Sequence, residues 1–187
     1  MGSNAATELP DLDLDDELVQ AEGTAEIGEP APSPVVVLYF DLAGLPGWGS
    51  EAQPSDPDTS SILERYLGPL AAEIRLVQGY TALAMVHDAH AAILATMDLL
   101  GEAARSSGSA TAGAHITRAA LEEVGPASRA ARTAAALAGL AEADRLLVTA
   151  DVIGALRPAD GSTLSFDTGS PADVDGVRVS TYVVRRR

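Results

Sequence analysis

The stretch Val35-Val36-Val37-Leu38-Tyr39-Phe40-Asp41-Leu42-Ala43-Gly44-Leu45 decides the fold of this chain. It opens with an unbroken run of apolar, β-branched and aromatic residues, which predicts a strand buried on both faces of a sheet. Asp41 then places a carboxylate at the end of that strand, and Gly44 follows closely. A carboxylate beside accessible backbone can hold a metal ion or a ligand, or it can cap the following turn.

Composition limits the classes of function. The 187 residues carry a formal net charge of −15, all 12 basic residues are arginine, and there is no cysteine. The acidic balance argues against a nucleic-acid partner, which would need a basic face. Without lysine there is no P-loop lysine, Schiff-base lysine or lysine base, and without cysteine there is no disulfide or thiolate site. No apolar run is long enough to span a bilayer and the N-terminus does not resemble a signal peptide, so we expect a cytoplasmic protein with no membrane partner.

Residues 1–34 differ sharply from the rest of the chain. They contain nine acidic residues and no basic residue, and prolines stand at 30, 32 and 34. Such a segment buries too little apolar surface to fold alone, so we predict a disordered acidic tail over 1–34 and one domain over 35–187. Within the tail, residues 9–18 interleave leucine with acid. This pattern is typical either of a solvated segment or of a short amphipathic element for a basic protein partner.

Strand and helix patterns alternate after the first strand. A helix is predicted over 58–74, with a capping box at Ser61 and Glu64 and a kink at Pro69. Strands over 75–78 and 82–86 predict a hairpin, and Asp88 should cap the helix that follows it. The apolar face of the first helix is expected to carry Ile62, Tyr66, Leu70 and Ile74. That of the second is expected to carry Ile93, Met97, Leu100 and Ala104.

The C-terminal half continues the alternation. We predict a strand over 110–117, an alanine-rich helix starting at Gly125-Pro126, a strand over 146–148, a short helix over 150–156 and a closing strand over 177–184. The order β-α-β-β-α-β, then α-β-α-β, favours the α+β class. The predicted architecture is a ferredoxin-like βαββαβ core extended to a mixed-sheet α/β sandwich.

Four of these segments resemble, in chain order, motifs of the class III nucleotidyl (adenylate and guanylate) cyclase catalytic domain. The strand 38–44 is similar to the family's first metal-binding strand, F-x-D-[IL]-x-G, and 78–80 lies where the family has its G-D hairpin. Residues 112–117 resemble the G-I-H-x-G strand, and 125–132 resemble the G-x-x-V-N-x-A-A-R helix. Leu146-Leu147-Val148-Thr149 also resembles the family's I-L-V-S strand.

The resemblance implies a site that has lost part of its chemistry. The family uses two carboxylates to hold two metal ions on the nucleotide phosphates. Asp41 matches the first carboxylate, but Tyr80 stands at the second, and a phenol stays neutral at physiological pH. Ser128 replaces the transition-state asparagine, whereas Arg132 matches the transition-state arginine. The family's nucleotide-binding positions fall on Gly44, Leu76 and Tyr80 of this chain. Leu76 stands where the family has its purine-specifying lysine.

The expected function is therefore that of a degenerate, catalytically inactive cyclase-like domain. It would act in intracellular signalling as a regulatory or dimerisation module, with Mg²⁺ or Mn²⁺ only if nucleotide binding is retained. Because the family's site lies between two subunits, the resemblance implies a homodimer or a heterodimer with a related cyclase-like domain. Two alternatives stay open: an active adenylate or guanylate cyclase, alone or as half of a heterodimer, and an interaction module that acts through the acidic tail.

Two other features have open interpretations. His87 and His90 are spaced as a metal pair at i and i+3 would be, but the same spacing suits a structural role at a helix start. The alanine-rich helix could form a close dimer contact or an internal core contact.

Overall fold

The computed structural model of the protein describes residues 33–44, 59–78, 80–105, 108–156 and 163–187. Nearly all of the acidic tail, including the leucine–acid pattern of 9–18, lies outside these ranges, so disorder there stays a prediction. Within the described ranges, no helix has the length and apolar character needed to cross a membrane.

The described residues follow the predicted alternation of strands and helices as far as α4, after which the structure has four strands where the sequence predicts one. The helices are α1 (Thr59–Leu67), α2 (Ala89–Arg105), α3 (Arg129–Leu140) and α4 (Ala150–Ala155), with 3₁₀ turns at Gly68–Leu70 and Leu121–Glu123. The strands are β1 (Val35–Gly44), β2 (Glu73–Gln78), β3 (Thr81–Val86), β4 (Ser109–Thr117), β5 (Arg145–Thr149), β6 (Leu164–Thr168), β7 (Ala172–Val174), β8 (Val177–Val179) and β9 (Thr181–Arg186).

Seven of the strands form one mixed sheet in the order β2-β3-β1-β4-β5-β9-β6. Strands β4 and β5 pair in parallel, and the other neighbours pair antiparallel. The first four strands, with α1 and α2, form the βαββαβ core, and β7 and β8 form a separate hairpin. The predicted α+β class with a mixed sheet is confirmed.

Strand β1 lies in the middle of this sheet and is buried on both faces, as its sequence predicts. Leu38 and Phe40 join the apolar cluster beneath α1 and α2, whereas Val35 and Val37 join the cluster beneath α3. All four side chains are buried. Period-two alternation therefore places Asp41 on the same face as Val35 and Val37, the face that α3 covers.

Helix α3 lies unusually close to the sheet, and Gly113 on β4 is the reason. A Cβ atom at Gly113 would stand 2.0 Å from the carbonyl oxygen of Ala134 and 2.7 Å from the backbone nitrogen of Ala138. Ala131, Ala134 and Ala138 are buried on the inner face of the helix. The alanine-rich face therefore makes an internal core contact.

The prediction of a single helix over 58–74 is wrong. Helix α1 ends at Leu67, and Pro69 lies in the 3₁₀ turn that follows, so the proline terminates the helix instead of kinking it. Ile74 belongs to β2, and Leu63 and Leu67 are the buried residues of α1, while Ile62, Tyr66 and Leu70 pack at the edge of the core. The helix begins at Thr59, so Ser61 lies inside it.

The buried face of α2 and two further element boundaries also differ from the predictions. On α2, Ala104 is exposed, and the core includes Leu99 and Ala103 instead. Asp88 caps this helix as predicted, because its Oδ1 accepts a hydrogen bond from the Ala91 amide at 3.0 Å. Helix α3 begins at Arg129 because a turn closes first between the Ser128 amide and the Gly125 carbonyl, at 2.9 Å. The predicted closing strand 177–184 divides between β8 and β9.

Candidate functional site

Asp41 and Tyr80 lie at adjoining strand ends, with Tyr80 directly before β3 and opposite Leu42, the residue after Asp41. Asp41 pairs with Thr81 of β3, and the Leu42 amide donates to the Tyr80 carbonyl at 3.0 Å. The predicted hairpin is present, and its second strand pairs with β1. Tyr80 is 38% exposed, and the Asp41 side chain is also exposed.

The Asp41 carboxylate already has a local partner. Its Oδ1 accepts a hydrogen bond from the Ala43 amide at 3.1 Å, the i to i+2 contact typical of an Asx turn. The pairing of β1 with β4 shifts register between Asp41 and Gly44, where Gly44 lies opposite Ser109. Asp41 therefore shapes the end of its strand, whatever else it binds.

Leu76 occupies the edge strand β2, in register with Ala82 of β3. Its neighbour Arg75, which the sequence interpretation overlooked, contacts the segment before α3. Arg75 donates to the Val124 carbonyl at 2.8 Å and pairs with Glu73. Val124 is fully buried against Leu83 and Met85, so Arg75 fixes the segment before α3 onto the sheet.

Ser128 is the N-cap of α3. Its backbone is extended, and its Oγ accepts a hydrogen bond from the Ala131 amide at 3.2 Å. A serine at this position satisfies one of the unpaired amides of the first turn. The Ser128 hydroxyl oxygen is thus committed to holding the helix start.

Arg132 lies one turn into α3, on its exposed side, and contacts an acid of the β7–β8 hairpin. Its Nη2 and Nε donate to Oδ2 of Asp175 at 2.7 and 3.3 Å, and its Nη1 donates to the Ala127 carbonyl. The hydrogen bond from Arg132 lowers the pKa of the Asp175 carboxyl, and the same bond raises the pKa of Arg132. The arginine that the resemblance marks as catalytic is already bound to a carboxylate.

Asp175 was missed by the sequence interpretation, although a signal for its hairpin exists. Val174 pairs with Val177, and both residues between them have positive φ, 54° at Asp175 and 74° at Gly176. These are the angles of a two-residue type I′ turn, which Asp-Gly between two valines favours. The sequence could predict the hairpin in this way, but not its position against α3.

His115 is half-buried between α3 and the end of β5. Its Nδ1 lies 3.1 Å from Oγ1 of the buried Thr149. Burial lowers the pKa of His115, with Arg129 adding to the shift and Asp151 opposing it, so the imidazole is neutral near pH 7. The other histidines, His87 and His90, lie at the start of α2, and in the described part of the chain no three His, Cys, Asp or Glu side chains cluster to hold a metal ion.

Solved structures provide a comparison for this fold. An adenylate cyclase from Trypanosoma brucei, described in its monomeric state, superposes with a TM-score of 0.63 at 14% identity, covering 81% of this chain and 89% of that one. The guanylate cyclase domain of RhGC from Catenaria anguillulae, in complex with GTP, gives 0.63 at 14% identity, covering 83% and 97%. A dimeric guanylyl cyclase domain from Blastocladiella emersonii gives 0.60 at 15% identity, covering 83% and 97%.

The chain therefore has the fold of adenylate and guanylate cyclase catalytic domains, as the sequence motifs predict. No family model matches the sequence, and no curated protein matches it.

Proposed function

We propose that this chain is a degenerate nucleotidyl cyclase-like domain that does not form cyclic nucleotides and serves in intracellular signalling as a regulatory or dimerisation module. The observation that carries the proposal is the pair Asp41 and Tyr80. Asp41 lies at the end of β1, and the Leu42 amide donates to the Tyr80 carbonyl at 3.0 Å, so Tyr80 lies opposite Leu42, one residue along from Asp41. This strand end therefore carries one carboxylate and a phenol where the resemblance requires two carboxylates.

This donor set does not fit a pair of divalent ions. Mg²⁺ requires near-octahedral oxygen coordination, usually from one or two carboxylates together with substrate phosphates. Asp41 offers one carboxylate, which also accepts from the Ala43 amide. Tyr80 offers a single phenolic oxygen in place of the two oxygens of a carboxylate. If nucleotide binds at all, it does so without the two-ion clamp that activates the attacking oxygen.

The positions on α3 support the same proposal. Ser128 has no amide donor to offer a developing charge, and its hydroxyl oxygen accepts from Ala131. Arg132 is paired with Asp175 and would have to leave it to contact a phosphate. A preorganised donor aimed at the transition state is typically worth about 10²-fold in rate, so these losses together remove detectable turnover.

A partner of the same fold is part of the proposal. One of the similar structures is described as dimeric and another as monomeric, so the fold is compatible with both states. Leu140 at the end of α3 and Val177 on the neighbouring hairpin are 48% and 46% exposed. Burial of such apolar side chains against a second copy, or against a related cyclase-like domain, would stabilise an assembly.

The test is a turnover assay on the purified chain. ATP and GTP are supplied with Mg²⁺ or Mn²⁺, cyclic nucleotide is measured, and the oligomeric state is determined by sedimentation. We expect no product from the wild type and none from Tyr80→Asp alone, because groups that act as one unit are not restored singly. Metal-dependent product from the wild type, lost in Asp41→Ala, would instead establish the active-cyclase alternative. Product only after mixing with another cyclase-like domain would establish the heterodimer form of that alternative.

A further inference from the structure

We propose that Asp175 is an internal anion that occupies Arg132 and so blocks a polyphosphate-binding site on the first turns of α3. The inference rests on the proposed function, because it concerns the same degenerate site. It adds Asp175, a residue that the sequence motifs do not contain. It also names a ligand class for the freed site, the polyphosphate anion.

The contacts of Arg132 are those of an occupied anion site. Each nitrogen of the guanidinium has an acceptor: Nε and Nη2 contact Oδ2 of Asp175, and Nη1 contacts the Ala127 carbonyl. Guanidinium groups bind carboxylates and phosphates through the same fork of donors. A phosphate can therefore use this fork only when the carboxylate has left it.

The carboxylate is held in place by a well-defined turn. Asp175 and Gly176 form the type I′ turn of the β7–β8 hairpin, and Oδ1 of Asp173 accepts from the Gly176 amide at 3.0 Å. Ala172 and Val174 of β7 are buried against Leu137 of α3. Because the hairpin is packed on the helix, Asp175 pays little conformational entropy to meet Arg132.

A second arginine makes the position more favourable for an anion of higher charge. Arg129 lies one turn before Arg132 on α3, and its charge also contributes to the lowered pKa of Asp175. Removal of the Asp175 charge would leave two arginines near one another without that acid. Two guanidinium groups match the charge of a polyphosphate better than that of one carboxylate.

The variant that isolates this effect is Asp175→Asn. Asparagine has nearly the same shape and tolerates positive φ, so the turn is kept while the negative charge is removed. The matched control is Asp167→Asn, which removes the same charge from another exposed ion pair. Asp167 contacts Arg185 at 2.5 Å, and the two acids are similarly exposed, at 56% and 48%.

The experiment is calorimetric titration of the full chain with inorganic tripolyphosphate, without divalent ions and at low salt. We expect Asp175→Asn to bind about 3- to 10-fold more tightly than the wild type, because a competing carboxylate and a like charge are both removed. Asp167→Asn should stay within about twofold of the wild type, since it lies at another ion pair. The double variant Asp175→Asn/Arg132→Ala should lose the gain, and thermal melting should show each variant folded.

Three results would overturn the inference. The first is that Asp175→Asn binds tripolyphosphate no more tightly than the wild type, or that neither binds it. The second is that Asp167→Asn gains as much affinity as Asp175→Asn. The third is that the gain in affinity persists when Arg132 is also replaced by alanine. None of them affects the proposed function, which is tested separately by the formation of cyclic nucleotide and by the binding of Mn²⁺. The two claims can therefore be rejected separately.

Discussion

The two sides of α3 differ in how much change they tolerate. Its inner side lies on β4 with so little space that Gly113 cannot carry a Cβ atom, and Ala131, Ala134 and Ala138 are buried there. Its outer side carries Arg132, which is exposed and held by Asp175. The packed side maintains the cyclase fold, whereas the exposed side can change its chemistry without affecting the core.

This difference explains how the chain can share its fold with the compared cyclases although only about one residue in seven is identical. Close packing penalises every added atom, whereas exposed ion pairs contribute little to stability. A position such as Gly113 therefore tolerates less change than the exposed positions on the outer side of α3.

The largest expected effect is at the packed side. Gly113→Ala should destabilise the protein by about 3 kcal/mol, because the new Cβ atom meets the backbone of α3 and the helix must move away from the sheet. Urea denaturation measures the change. The matched control is Gly139→Ala on the same helix, where a Cβ atom meets nothing within 4 Å.

Alanine favours helix over glycine, so Gly139→Ala should stabilise the protein by roughly 0.5 kcal/mol. Equal effects of the two substitutions would contradict the close approach of α3 to β4.

An intermediate effect is expected at the helix start. Ser128→Ala removes the acceptor of the Ala131 amide and should cost about 1 kcal/mol in unfolding free energy. Ser128→Asn should cost almost nothing, because asparagine caps helices as well as serine does. If both variants lose the same stability, Ser128 does not act as a cap.

A smaller effect, which depends on pH, is expected at His115 on β4. Burial lowers its pKa below the ordinary 6.5, so the unfolded chain binds the proton more readily than the folded chain. The stabilisation is complete above about pH 6.5 and decreases as the pH falls toward the lowered value. Comparison of urea midpoints at about pH 7.5 and 5.5 should show a smaller acid-dependent loss in His115→Gln. An unchanged loss would exclude His115 as its source.

Much of the fold could be predicted because its signals are local. The apolar run of β1 predicts a central strand, and strand patterns around a short turn predict the β2–β3 hairpin. The prediction failed after Leu67 because the spacing of Leu70 and Ile74 continues the helical period into β2. Strands β7 and β8 have three residues each, too few to show a period.

The site was predictable only where its residues are joined by predicted elements. Asp41 and Tyr80 lie at adjoining strand ends because β3 of the hairpin pairs with β1. Arg132 and Asp175 are 43 residues apart and meet through the packing of a hairpin on a helix. A motif contains only the residues of its own segment, so it identified Arg132 without indicating that an acid occupies it.

Binding of Mn²⁺ tests the central claim most directly. Turnover could also be lost through Ser128 or Leu76, whereas metal binding reports on the strand end that carries Asp41 and Tyr80. Titration in the presence of a nonhydrolysable nucleotide, followed by the electron paramagnetic resonance of free Mn²⁺, gives stoichiometry and affinity. After subtraction of the nucleotide-only titration, we expect the wild type to show no site tighter than roughly 10⁻³ M and to match Asp41→Asn. Two tightly bound Mn²⁺ ions per chain, lost in Asp41→Asn, would contradict the account.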